Sequence, residues 1–165
     1  MFEFFKRVLG MSAPAGARRQ QQRVNARSGM RVLIIDDSST VVATLRRMLE
    51  QNGYEVIEAL DGEKGVELAT ENPPDLIFLD IILPGINGFA ALRQLRRHER
   101  TREVPVIMMS GNEQATEQFY AQRIGADDFM KKPFSRAELF SRIEKLLDVS
   151  LMPRRHLHNG ADHAS

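Results

Sequence analysis

Short, unbroken aliphatic runs alternate along this chain with stretches in which apolar residues recur every three or four positions. Val32, Leu33, Ile34 and Ile35 form one such run, and Leu76 to Leu79 and Val106 to Met109 repeat it. A continuous apolar segment of this length is the mark of a strand buried on both faces. Tyr54 to Ala59 and Asp128 to Met130 are less apolar and complete a set of five predicted strands. Between the runs, Ser39 to Gln51 sets Val42, Leu45, Met48 and Leu49 at helical spacing, and Asn52 and Gly53 close the pattern. Glu63 to Ala69, Gly88 to Arg97, Glu113 to Arg123 and Ser135 to Leu147 read as four further helices. Strand and helix alternating in units of roughly 20–25 residues predict right-handed crossovers. The expected fold class is α/β, a doubly wound five-stranded parallel sheet with five helices.

The flanks do not share this pattern. Residues 11–30 mix Ala, Gly, Pro, Gln and Arg without periodicity and read as a linker. The expected organisation is a basic arm over 1–29, a domain over 30–149 and a fraying tail over 150–165, where Pro153, Gly160 and three histidines stand among polar residues. The net charge of +1 over 165 residues conceals a polarity: residues 1–29 carry six basic side chains and one acidic, whereas 30–149 hold 15 basic and 20 acidic. Within the arm, helical spacing would place Met1, Phe2, Phe4, Phe5, Val8 and Leu9 on one arc, with Glu3, Lys6 and Arg7 facing away. Such a segment suits a membrane interface or a partner groove, or packs on its own domain. The absence of cysteine excludes disulfides, thiolate metal sites and cysteine nucleophiles. No apolar run approaches the roughly 18 residues that cross a bilayer, so a soluble, cytoplasmic chain is expected.

In a doubly wound sheet, ligands bind beyond the carboxyl ends of the strands. Asp36 and Asp37 end the first predicted strand and Asp80 the third, so three carboxylates converge on one edge. Like charges that close raise one another's pKa unless a cation sits among them, and oxygen-only ligands favour magnesium. An Asp-Asp-Ser run after a strand equally serves to cap a helix. Ser110 and Lys132 follow the fourth and fifth strands and bring a hydroxyl and an ammonium to the same edge. Singly these are a turn residue and a solvated lysine; together they would bind a phosphoryl group on Asp80.

At these residues the chain resembles the receiver domain of bacterial two-component response regulators, of the stand-alone, CheY-like kind with a flavodoxin-like fold. The matching segments are VLIIDDSST, PDLIFLDIILPGINGF, PVIMMSG and GADDFMKKPF, with 30 positions from Asp80 to Ser110 and 22 from Ser110 to Lys132. Residues around Asn87 and Phe89 also resemble receivers of twitching chemotaxis systems. The resemblance implies that Asp80 accepts the phosphoryl group. Asp36, Asp37, Asp80 and the backbone carbonyl of Ile82 would hold Mg2+. Ser110 and Phe129 would form the switch, and Lys132 would meet the phosphate only in the phosphorylated state. Ile82 and Asn112 would tune the access of water to the acyl phosphate, Asn112 either orienting that water or capping the next helix.

The implied partners are a histidine kinase or phosphotransfer protein and a downstream signalling protein in motility or chemotaxis, without specific DNA binding. Activity would be limited to self-phosphorylation from small donors and autodephosphorylation. The alternative is a phosphate sink or phosphorelay intermediate that turns phosphoryl groups over without a downstream partner.

Overall fold

The computed structural model describes residues 29–122, 125–148 and 150–156. Five parallel strands form one sheet in the order β2-β1-β3-β4-β5: β1 (Arg31–Ile35), β2 (Glu55–Ala59), β3 (Leu76–Asp80), β4 (Val106–Ser110) and β5 (Asp128–Lys131). Five helices connect and follow them: α1 (Ser39–Gln51), α2 (Gly62–Glu71), α3 (Gly88–Arg97), α4 (Glu113–Gln122) and α5 (Arg136–Leu146). The architecture is the doubly wound sheet expected from the sequence. α2 begins one residue earlier and ends two residues later than the apolar pattern suggests.

The pleat sorts the core into two layers, because successive residues of a strand face opposite sides. Leu33, Ile35, Ile77, Leu79 and Met108 pack with Leu92 and Leu95 of α3 and Phe119 of α4. Val32, Ile34, Phe78, Ile107 and Met109 pack with Leu45 and Leu49 of α1 and Leu139 and Ile143 of α5. β3 and β4 lie inside the sheet and are buried at every position, whereas the edge strand β2 is buried only at Ala59.

Side chains with short oxygen-bearing arms start the helices. Ser38, Asp61, Asn87, Asn112 and Ser135 each accept a hydrogen bond from a backbone N–H three residues on, which satisfies one of the free donors of a first turn.

The described part of the C-terminal segment, residues 150–156, lies back against the domain. Leu147 pairs antiparallel with Pro153, Asp148 donates its N–H to the carbonyl of Met152 (2.8 Å), and Arg154 donates its N–H to that of Leu146 (2.8 Å). The Asp148 carboxylate organises the turn by accepting from the N–H groups of Ser150 and Met152. Arg155 then reaches Asp127 at 2.9 Å. Ion pairing and turn bonds thus link the described tail residues to the domain. The apolar segment Met1 to Leu9 and residues 157–165 lie outside the described residues.

Candidate functional site

The carboxyl ends of β1, β3, β4 and β5 bring Asp36, Asp80, Ser110 and Lys132 to one edge of the sheet. Asp36 is fully buried, Asp80 is 4% exposed, and Asp37 stands open to solvent. Each of the three offers a carboxylate oxygen, and those oxygens lie within 4.8 Å of one another. The donor set is hard oxygen, two-thirds buried and open on the Asp37 side, which fits a small divalent cation that keeps part of its water. The Ile82 N–H donates to Asp80 Oδ1 at 3.4 Å, and the Ser38 N–H to Asp36 Oδ1 at 2.8 Å.

Lys132 bridges the buried acids, its Nζ 2.7 Å from Asp36 Oδ2 and 3.2 Å from Asp80 Oδ2. The ammonium is therefore engaged by both acids in this structure, where the sequence reading expected it to act only toward a phosphoryl group. The reason is electrostatic: two carboxylates at this depth without a counter-charge would be costly. Burial pushes the Asp80 carboxyl up to about 6, the Asp36 charge adds to that, and Lys132 pulls the other way. Burial alone would depress the Lys132 ammonium, but the hydrogen bond to Asp36 and the charges of Asp80 and Asp36 outweigh it and raise its pKa. The Lys132–Pro133 bond is cis.

Ser110 is buried at the end of β4, and its Oγ accepts from the Asn112 N–H at 3.0 Å. The Asn112 carboxamide oxygen is taken by the Ala115 N–H at 2.8 Å, so of its two sequence-level roles the structure shows the helix cap. Ile82, whose N–H reaches Asp80 Oδ1, is 53% exposed. Phe129 is buried, its ring centroid 4.9 Å from that of Phe119 and 5.7 Å from that of Tyr120.

Two contributors went unread in the sequence. Gly88 packs so closely under the site that a Cβ there would fall 2.2 Å from the Asp80 carbonyl oxygen; its position one residue after the cap Asn87 was the available signal. Tyr120, 55% exposed, puts a phenol next to Phe129, and only its adjacency to Phe119 in a helical pattern hinted at this.

The response regulator receiver domain family matches residues 32–144. Protein PilH of Pseudomonas aeruginosa is 40% identical over 117 residues, 71% of this chain and 97% of PilH. The chain spans about half the length of the curated transcriptional regulators that it also matches. Among solved structures, the receiver domain of the sensor histidine kinase PA1611 from P. aeruginosa, crystallised with magnesium coordinated in its active-site cleft, is 32% identical with a TM-score of 0.65. That match covers 72% of this chain and 96% of the other. The chemotaxis protein CheY4 of Vibrio cholerae is 25% identical with a TM-score of 0.66, covering 73% of this chain and 100% of CheY4. Among the described residues no helix is long and apolar enough to cross a membrane.

Proposed function

The chain belongs to the response regulator receiver domain family of two-component signalling, and from that premise we propose that it is a phosphorylation-controlled binding module with Asp80 as acceptor. One observation carries the reading: a largely buried carboxylate at a strand end, contacted by a lysine and flanked by two further acids within 4.8 Å. A histidine kinase or phosphotransfer protein is the natural donor, and a small acyl phosphate can replace it.

An Asp80 carboxylate oxygen attacks phosphorus. The new O–P bond forms as the donor's N–P bond breaks, and the electron pair leaves with the imidazole nitrogen, which takes up a proton. Asp80 is ionised for this step above its pKa of about 6. Asp36, Asp37, Asp80 and the Ile82 carbonyl would hold magnesium, which when bound supplies positive charge to the phosphoryl oxygens. Lys132 already lies 3.2 Å from the acceptor and follows the charge onto the phosphate.

Ser110 then donates its hydroxyl to a phosphoryl oxygen, a proton that its present bond, accepted from the Asn112 N–H, leaves free. Phe129 starts out buried, so the response is a repacking of Phe119, Tyr120 and Phe129 that re-shapes the surface of α4 and β5. Tyr120 presents the phenol that position 129 lacks. The likeness to CheY4 supports a partner in motility or chemotaxis. A durable switch is favoured over a phosphate sink by Ile82, whose apolar side chain at the site can neither orient nor activate water.

Acetyl phosphate with magnesium is expected to add one phosphoryl group to the protein and none to Asp80→Asn, read by intact mass spectrometry. Equal labelling of the variant would move the acceptor elsewhere.

A further inference from the structure

Between β3 and α3 the chain forms a loop, Ile81 to Asn87, that carries the Ile82 carbonyl. Its base is closed by the Gly88 N–H, which donates to the Ile81 carbonyl at 2.7 Å, and Leu83 is buried in the core. Ile82 itself is half exposed, and its N–H reaches Asp80 Oδ1 only at 3.4 Å. A contact of that length steers a peptide weakly. The placing of the Ile82 carbonyl therefore falls to whatever holds the rest of the loop.

Pro84 and Gly85 turn the loop, Gly85 at φ +74, where a side chain would be strained. The N–H of the next residue, Ile86, donates to Glu63 Oε2 at 3.1 Å, 23 positions earlier in the first turn of α2. The two segments fit closely. A Cβ on Gly85 would fall 2.7 Å from the same Glu63 oxygen, and a Cβ on Gly62 would fall 2.7 Å from Ile86 Cγ1 and 3.1 Å from the Ile86 carbonyl oxygen. Among the described residues, this is the hydrogen bond that ties residues 82–87 to an element other than β3 and α3. α2 is itself seated on β1, where Gly65 packs against Ile35, the residue before Asp36. One bond thus sets the loop of Ile82 in register with the strand that delivers Asp36 and Asp37.

We propose that Glu63 is a positioning residue for the magnesium site, an inference that rests on the reading of that site given above: its carboxylate holds the loop at Ile86 and so keeps the Ile82 carbonyl in place beside the three acids. An acid in a first turn also complements the helix dipole. That role requires charge, whereas the bond to Ile86 requires only an acceptor oxygen, which a carboxamide keeps. Glu63→Gln separates the two.

The test is a titration of the full chain with Mg2+, followed through the amide NMR signals of Asp37, Asp80 and Ile82, together with hydrogen exchange of the Ile86 amide in metal-free protein. Glu63→Ala is expected to speed exchange at Ile86 and to weaken Mg2+ binding by about three- to tenfold, the scale of one hydrogen bond. Glu63→Gln is expected to restore both. Glu67→Ala, which removes an acid of the same helix that pairs with Lys64 instead, should disturb neither. Wild-type Mg2+ affinity in Glu63→Ala, a Gln variant as weak as the Ala variant, or an equal loss in Glu67→Ala would overturn the proposal. A wild-type chain that gives no response to Mg2+ overturns the site and this inference with it, whereas a wild-type response that survives Glu63→Ala overturns the inference alone.

Discussion

The Asp80 carboxylate, the proposed acceptor, is a liability to the metal-free fold. Its pKa stands near 6 against an ordinary 3.8, from burial first and the Asp36 charge second. An acid whose pKa rises on folding weakens the fold progressively as pH climbs from the unfolded value to the folded one, and the penalty is constant above that. In EDTA at pH 7.5, Asp80→Asn should therefore be more stable than wild type by about 1–2 kcal/mol, once the lost Lys132 contact is set against the relief. The gain should vanish near pH 4, and urea midpoints across that range check it; a pH-independent gain would remove the electrostatic account. Ile82 belongs to the same scale. Replacing its apolar side chain with Asn supplies a group that can hold a water near the acyl phosphate. Ile82→Asn is expected to hasten loss of the phosphoryl group several-fold, about 1 kcal/mol in barrier, as followed by time-resolved mass spectrometry.

At the scale of elements, legibility in the sequence tracked solvent exposure. β3 and β4 are covered by helices on both faces and so read as unbroken apolar runs, while β2, at the sheet edge, alternates Glu with Val and Ile. Capping demands a short polar side chain, and the cap readings of the Asp-Asp-Ser run and of Asn112 correspond to the bonds that Ser38 and Asn112 accept, whereas Asp61, Asn87 and Ser135 cap their helices without having been read as caps. The acidic edge was legible for a related reason: acids that directly follow apolar strands have few structural uses. What stayed hidden depends on partners distant in sequence. Lys132 meets Asp36 across 96 positions, and Arg155 meets Asp127 across 28, separations that no local pattern encodes. Gly88 belongs to the hidden class too, since its need arises where α3 presses on the end of β3. A Cβ there would lie 2.2 Å from the Asp80 carbonyl oxygen and 2.7 Å from the Ile81 Cα, backbone atoms that cannot rotate away. Gly88→Ala is expected to cost about 2 kcal/mol and to slow acetyl phosphate labelling by displacing Asp80. Gly111→Ala, whose Cβ would rest 3.5 Å from the Lys132 Cβ, should do neither and serves as the control.

At the scale of the whole molecule, the C-terminal strap joins parts that the sheet alone leaves separate. Asp127 is its anchor: one carboxylate accepts from Arg96, from Arg155 and from the N–H of Val106 at the start of β4. Two guanidinium groups on one acid are not equivalent. Both side chains are largely buried, 13% and 15% exposed, but Arg96 binds more groups, the carbonyls of Gly125 and Val104 at 2.9 and 2.7 Å as well as Asp127. Burial, and then the charge of Arg155, lower its pKa to about 10. Arg155 arrives from the strap and shares the Gly125 carbonyl at 3.2 Å, so its attraction to Asp127 is partly offset by repulsion from Arg96. Removing Arg155 therefore loses one ion pair and relieves one repulsion, whereas removing Arg96 leaves a buried carboxylate and two carbonyls short of partners. Arg155→Ala should cost under about 1 kcal/mol and Arg96→Ala about 3 kcal/mol. A chain ending at Asp148 should fall between, because it also gives up the burial of Pro153 and the backbone bonds from Asp148 and Arg154. Urea unfolding of the three variants against wild type measures the ranking. Equal costs for the two arginines would mean that Asp127 is held symmetrically and that the strap is as integral to the fold as α3 itself.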